Sequence, residues 1–328
     1  MTVTVQSAPR IYCEVCGTKD EQPRPGALPM RRKEPAPGLV TEKELVTEQL
    51  RMTATVKEPV TEGLQMTILD QLAEHARERV RQDRRNLGLE EIREMALSAG
   101  RGNGEAFYRA VAKPGMRFIC EVKKASPSKG VIDPVFDYMN IAAAYEEAGA
   151  DCISCLTEPK WFMGSDEIFS RIRGAVKTPM LRKDFVVDEY QLYQSRLMGA
   201  DCVLLICSLL DMDTIRRYSG ICEQLGLAVL TETHDEKEIR SAVNAGARMI
   251  GVNNRNLRDF TVDLGNAVRL REMIPESCLY VSESGVREPE DVAALAEAGA
   301  DAVLVGEALM RAEDKNAFLQ RLKEAPAK

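Results

Sequence analysis

One pattern recurs four times beyond residue 145: EAGADCISCL from Glu147, LMGADCVLLI from Leu197, NAGARMIGVN from Asn244 and EAGADAVLVG from Glu297. Each copy reads as a helix C-terminus closed by glycine, one polar residue, and an apolar run. Glycine takes the left-handed turn that ends a helix, and an unbroken apolar run suits a strand buried on both faces. The glycines, Gly149, Gly199, Gly246 and Gly299, lie 50, 47 and 53 residues apart. Between and before the copies stand four more apolar runs, at 118–122, 179–183, 228–232 and 279–282. Helical patterns separate the strands at 141–148, 189–198, 212–225, 236–245, 264–273 and 289–298. Eight strands alternating with helices, in units of about 25 residues, fit an α/β chain closed into a (β/α)8 TIM barrel. An open doubly wound sheet would usually carry a glycine-rich nucleotide fingerprint after its first strand, where this chain has SPSKG.

Three helices are expected ahead of the first strand. Thr67-x-x-Asp70 is a capping box in front of Ile68, Leu69, Leu72, Ala76 and Val80 at helical spacing; Leu89, Ile92, Met95 and Ala96 mark a second helix, and 105–112 a third. Residues 66–328, with these helices at 66–113, therefore read as one barrel domain. Residues 1–65 hold seven of the fifteen prolines and a single aromatic, Tyr12, too little to bury a core, so a disordered extension is expected, with Met66 as an alternative start. Cys13 and Cys16 make half a zinc knuckle with no second pair nearby, so no metal is expected there. The other cysteines lie mostly in apolar runs, and no signal-peptide core or membrane-length apolar stretch is present, which points to a reducing, cytoplasmic protein. A net charge of −7 with no basic block argues against nucleic acid or anionic membrane as partner.

Polar residues gather at the ends of the strands. In the first, Phe118, Cys120 and Val122 share one face, leaving Ile119, Glu121 and Lys123 on the other. Lys183, Glu232, Asn253 with Arg255, and Glu283 end further strands and share faces with Leu181, Leu230, Gly251 and Val281 below them. Active sites of such barrels lie at this end. Ion pairs sealing the barrel mouth would also satisfy buried charges, but charges confined to one end of five strands are explained more simply by a site. Ser284-Gly285 and Gly306-Glu307 follow the last two strands, where barrels often bind phosphate on backbone N–H groups. Trp161-Phe162 lies in a polar loop, where a flat ring could be stacked. A lysine in this partly dry place, its pKa lowered by burial and by Arg255 or another lysine, could deliver a proton near neutral pH. His75 and His234 are too few for a histidine-rich metal cluster, and neither is assigned to catalysis.

The stretches ICEVKKASPSKG, LTEPKWFMGS, LRKDF, IGVNNRNL and VSESGV, within a match running from Met66 to Leu322, resemble the indole-3-glycerol-phosphate synthase family. The resemblance implies helices before the first strand lying over the barrel mouth. It implies a small phosphorylated aromatic substrate, 1-(2-carboxyphenylamino)-1-deoxyribulose 5-phosphate, closed to indole-3-glycerol phosphate with loss of carbon dioxide and water and without metal or organic cofactor. By the same resemblance, Lys183 corresponds to the general acid and Glu232 to the general base. Lys123 is the lysine on the carboxylate side, sharing acid duty in dehydration. Glu121 and Glu283 position the lysines and substrate hydroxyls, Asn253 and Arg255 orient substrate, and Phe162 walls the anthranilate pocket. Ser126, Ser284, Gly285 and Gly306 fall where the family binds sugar or phosphate; Glu307 stands where many relatives have Ser, and its backbone N–H is the group expected to serve. A sugar-phosphate isomerase, or a non-catalytic binding protein, remains the alternative reading, and oligomeric state is not legible.

Overall fold

A computed structural model describes residues 66–325, so the expected extension and its Cys13 and Cys16 lie outside the described residues. Eight parallel strands close on themselves: β1 (Arg117–Val122), β2 (Cys152–Leu156), β3 (Met180–Lys183), β4 (Cys202–Ile206), β5 (Ala228–Thr233), β6 (Met249–Asn253), β7 (Leu279–Glu283) and β8 (Ala302–Val305). Closure is made by β1, which pairs with β8 on one side and β2 on the other. The two-residue period sorts the side chains. Phe118, Cys120 and Val122 face outward under the helices, while Ile119, Leu181, Leu204, Leu230, Val281 and Leu304 fill the interior.

Helices α4 (Tyr138–Glu147), α5 (Asp166–Ala175), α6 (Tyr190–Leu197), α7 (Met212–Leu225), α8 (Glu236–Asn244), α9 (Gly265–Leu270), α10 (Pro289–Glu297), α11 (Glu307–Arg311) and α12 (Lys315–Lys323) alternate with the strands or follow them. The repeat glycines Gly149, Gly199, Gly246 and Gly299 all adopt positive φ just past a helix, the conformation that turns the chain back into the next strand. The helix expected at 264–273 is α9 followed by a 3-10 turn, Arg271–Met273. SPSKG is more ordered than a plain loop: Ala125–Ser126 pairs antiparallel with Gly130–Val131, with Gly130 at φ +64°. Among the described residues, no helix is long and apolar enough to cross a membrane.

The three leading helices divide their work. In α1 (Ile68–Asn86) Thr67 and Asp70 form the expected capping box. Its Arg79 grips Asp184 through two hydrogen bonds of 3.1 and 2.6 Å, which anchors the helix beside the C-terminal end of β3. α2 (Leu89–Ser98) packs on α6. α3 (Gly104–Val111) instead closes the opposite end of the barrel, sending Phe107, Tyr108 and Val111 into the interior cluster beside Ala228, Cys202 and Cys152. Only the first helix therefore lies at the mouth. α3 sits close because residue 104 has no side chain: a Cβ there would fall onto the backbone of Ala228 and lie 2.5 Å from the carbonyl carbon of Leu227.

Backbone cannot retreat as a flexible side chain can, so Gly104→Ala should cost roughly 1–3 kcal/mol. The expected result is a thermal midpoint lowered by several degrees with the far-ultraviolet spectrum retained. An unchanged midpoint would mean that α3 is not seated against β5.

Candidate active site

Alternate strands of such a barrel contribute side chains to the same interior layer. Here the odd strands place Ile119, Leu181, Leu230 and Val281 in the apolar interior, and two residues further on each supplies a charge: Glu121 from β1, Lys183 from β3, Glu232 from β5 and Glu283 from β7. Lys183 Nζ stands 3.2 Å from Glu232 Oε2 and 3.1 Å from Glu283 Oε2, and Lys123 is ion-paired with Glu121. The even strands leave room. A Cβ on Gly251 would collide with Glu283 Oε1, and one on Gly306, just past β8, would collide with Glu121 Oε1 and lie 2.9 Å from Lys123 Nζ.

Three buried carboxylates thus meet two mostly buried ammonium groups. Burial alone would pull the Lys183 ammonium toward its neutral form, but Glu283, Glu232 and Glu121 more than reverse this and raise its pKa. This corrects the expectation of a lowered value: the neighbours of Lys183 are anions, while Arg255 lies 4.0 Å from Glu307 instead. Glu232, also buried, is nonetheless held below the usual carboxylate range by Lys183 and His234. Glu283 carries the excess. Burial, with Glu232 and Glu121 nearby, pushes it up to about 7 despite the Lys183 ammonium.

Above this layer opens a cavity of about 310 Å³. Every residue expected at the site lines it: Lys183, Glu232, Lys123, Glu121, Asn253, Glu283, Ser126, Phe162, Arg255, Ser284, Gly285, Gly306 and Glu307. One wall is aromatic, with the Phe162 and Phe185 rings 5.9 Å apart. The cavity lining also includes a sharp turn at Ser284 (φ +64°) and Gly285 (φ +103°), where a Cβ on Gly285 would lie 2.7 Å from Leu264. Arg255, Arg287 and Arg311 line the same cavity.

Some placements differ from the sequence reading. Trp161 does not line the cavity: its ring meets His75 of α1 edge-on at 5.5 Å, with Lys160 over its face. Glu307 offers more than a backbone N–H, since its carboxylate pairs with Arg311 Nε at 3.2 Å and reaches toward Arg255. Phe185, Asp184, Arg287 and Arg311, with Ile68, Leu69 and Leu72 from α1, are cavity residues not singled out from sequence. Phe185 could have been found, since it stands two residues after Lys183 in LRKDF; the α1 residues required tertiary docking. His234 Nε2 stands 3.5 Å from Glu232 Oε1, a proximity its place in the loop after β5 also suggests.

A sequence profile described as indole-3-glycerol phosphate synthase matches residues 69–322. The chain belongs to the indole-3-glycerol phosphate synthase family. It is 48% identical over 256 residues to the indole-3-glycerol phosphate synthase of Ruminiclostridium cellulolyticum, covering 78% of this chain and 98% of that protein. It is 43% identical to the one from Lachnoclostridium phytofermentans (78% and 98% covered) and 44% to the one from Endomicrobium trichonymphae (78% and 100%). Every charged residue of the layer falls inside the stretch shared with the family.

Because folding raises the Glu283 pKa, the folded protein holds more protons on this group than the unfolded chain between about pH 4.5 and 7, and loses stability as pH rises through that window. Glu283→Gln removes that slope. The thermal midpoint of the variant minus that of the native protein should rise between pH 4.5 and 7; a flat or falling difference would show that Glu283 is already ionised at the lower end.

Proposed function

We propose that this cavity performs the indole-forming ring closure, converting 1-(2-carboxyphenylamino)-1-deoxyribulose 5-phosphate to indole-3-glycerol phosphate, carbon dioxide and water. The observation that carries the reading is a lysine ammonium clamped by two carboxylates at the base of one cavity, with an aromatic wall on one side and a Ser-Gly turn beside arginines on another. The anilino ring stacks along Phe162 and Phe185, and the phosphate sits by Ser284, Gly285 and Gly306. Residues 66–328 act as one catalytic domain in the cytoplasm, on a small molecule and neither nucleic acid nor membrane.

Lys183 is the general acid. A raised pKa keeps it charged in the free enzyme, and the proton leaves only when the ring carbon attacks the ketone and the oxygen becomes an alkoxide, a base strong enough to take it. Decarboxylation follows as the carboxylate, held out of the ring plane beside Lys123, departs and returns its electron pair to the ring. Dehydration restores the indole: Glu232 removes a proton while an ammonium, Lys123 or Lys183, protonates the departing hydroxyl. Glu121 and Glu283 hold the two lysines, Asn253 and Arg255 orient the substrate, and Ser126 meets its sugar hydroxyls. The net balance is uptake of one proton per turnover, because a carboxylate enters and neutral carbon dioxide leaves.

Supplying the substrate should produce indole absorbance and fluorescence. Lys183→Ala should lower kcat by at least about 10²-fold while the fold is retained. Absence of indole product from the native protein, or full activity in the variant, would contradict the proposal.

A further inference from the structure

Beside the site cavity lies a second one, of about 780 Å³, which shares Leu69, Asn253, Arg255 and Leu257 with it and is lined also by His234, Ser208 and Glu238. His234 stands between the two. Its Nδ1 lies 3.1 Å from Glu238 Oε2 and 3.2 Å from Ser208 Oγ, while its buried Nε2 has no hydrogen-bond partner and stands 3.5 Å from Glu232 Oε1. The other oxygen of the same carboxylate faces Lys183. Glu232 therefore bridges the acid on one side and an imidazole on the other.

We infer that His234 is a proton relay, passing inward from the second cavity, through Glu232, the proton that each turnover consumes. The inference rests on the ring-closure reading, which fixes the direction: two protons are delivered to substrate oxygen and one is recovered by Glu232, so one must arrive from solvent. Substrate seated in the first cavity lies over Lys183 and Glu232, and the second cavity beside it, which His234 lines, gives a separate approach for solvent. In the step itself the Nε2–H bond of the imidazolium breaks and an O–H bond forms on Glu232 Oε1. The carboxyl then turns about its last side-chain bond, a soft torsion, and gives the proton to the neutral amine of Lys183. The imidazole, left protonated on Nδ1 against Glu238, reloads when Nε2 turns to water in the second cavity. Burial opposes a charge on the ring, but Glu238 and Glu232 outweigh it and favour the imidazolium. His234 does not touch substrate; it acts through Glu232 as a positioning and relay residue.

The test is turnover of the anilino-ribulose phosphate by the full chain carrying His234→Gln or His234→Ala. In His234→Gln, which keeps a polar side chain but cannot carry the proton, product should appear as a burst of about one per site. A steady rate at least about tenfold below native should follow, with KM unchanged. In His234→Ala the steady rate should fall likewise and be restored, with saturation, by added imidazole. A native steady rate in the Gln variant, or a slow Ala variant indifferent to imidazole, would overturn the relay. Failure of the native protein to form indole at all would strike the ring-closure reading instead.

Discussion

The ammonium of Lys183 between Glu232 and Glu283 is the interaction around which the barrel is arranged. Neither the charge nor its partners could remain there singly, since an unpaired ion out of water costs several kcal/mol even after relaxation. Pairing them requires three strands that are not neighbours, β3, β5 and β7, to present their last residues at one height. A closed barrel provides this because alternate strands share a layer. The hydrophobic residues below, Leu181, Leu230 and Val281, fix the register, and a slip of one residue in any strand would turn its charge out of the cavity.

The layer is also kept open by what is missing from it. Gly251 and Gly306 supply hydrogen atoms where any side chain would strike Glu283 or Glu121. The glycines that end the helices serve the backbone; these two serve the carboxylates. Three acids and two lysines share this small space, and burial beside Glu232 and Glu121 pushes Glu283, whose Oε1 has no hydrogen-bond partner, up to about 7. The cluster thus sets ammonium groups beside a carboxylate, Glu232, whose pKa is held low, the pairing that the proposed ring closure and dehydration call for.

Most of the barrel was legible because its signals are local. A glycine that closes a helix, an apolar run and a charge at the run's end are read within ten residues, and alternation along the strand alone puts Glu121 and Lys123 on the face of Ile119. What could not be read is pairing across strands. The family resemblance already implied Glu121 and Glu283 as groups that position the lysines, but the sequence offered Arg255 or another lysine as what sets the pKa of Lys183, whereas closure lets the carboxylates prevail and raises it. It also could not tell that α3 plugs the far end of the barrel, that Arg79 of α1 reaches Asp184 105 residues away, or that Trp161 turns from the cavity to His75. Each of these depends on docking between segments distant in sequence. His234 was set aside for lack of metal-binding companions, and its significance comes only from the position of Glu232.

The central claim is spatial: one lysine at the base of the cavity meets the reacting oxygen while the Ser-Gly turn holds the phosphate. It is tested most directly by a crystal structure with the reduced substrate, in which the ketone is a hydroxyl and ring closure is blocked. The account predicts that hydroxyl within hydrogen-bond reach of Lys183 Nζ, the aromatic ring against Phe162 and Phe185, and the phosphate at Ser284, Gly285 and Gly306. A ligand bound the other way round, with its phosphate on the lysines or its hydroxyl beyond the reach of Lys183, would contradict it.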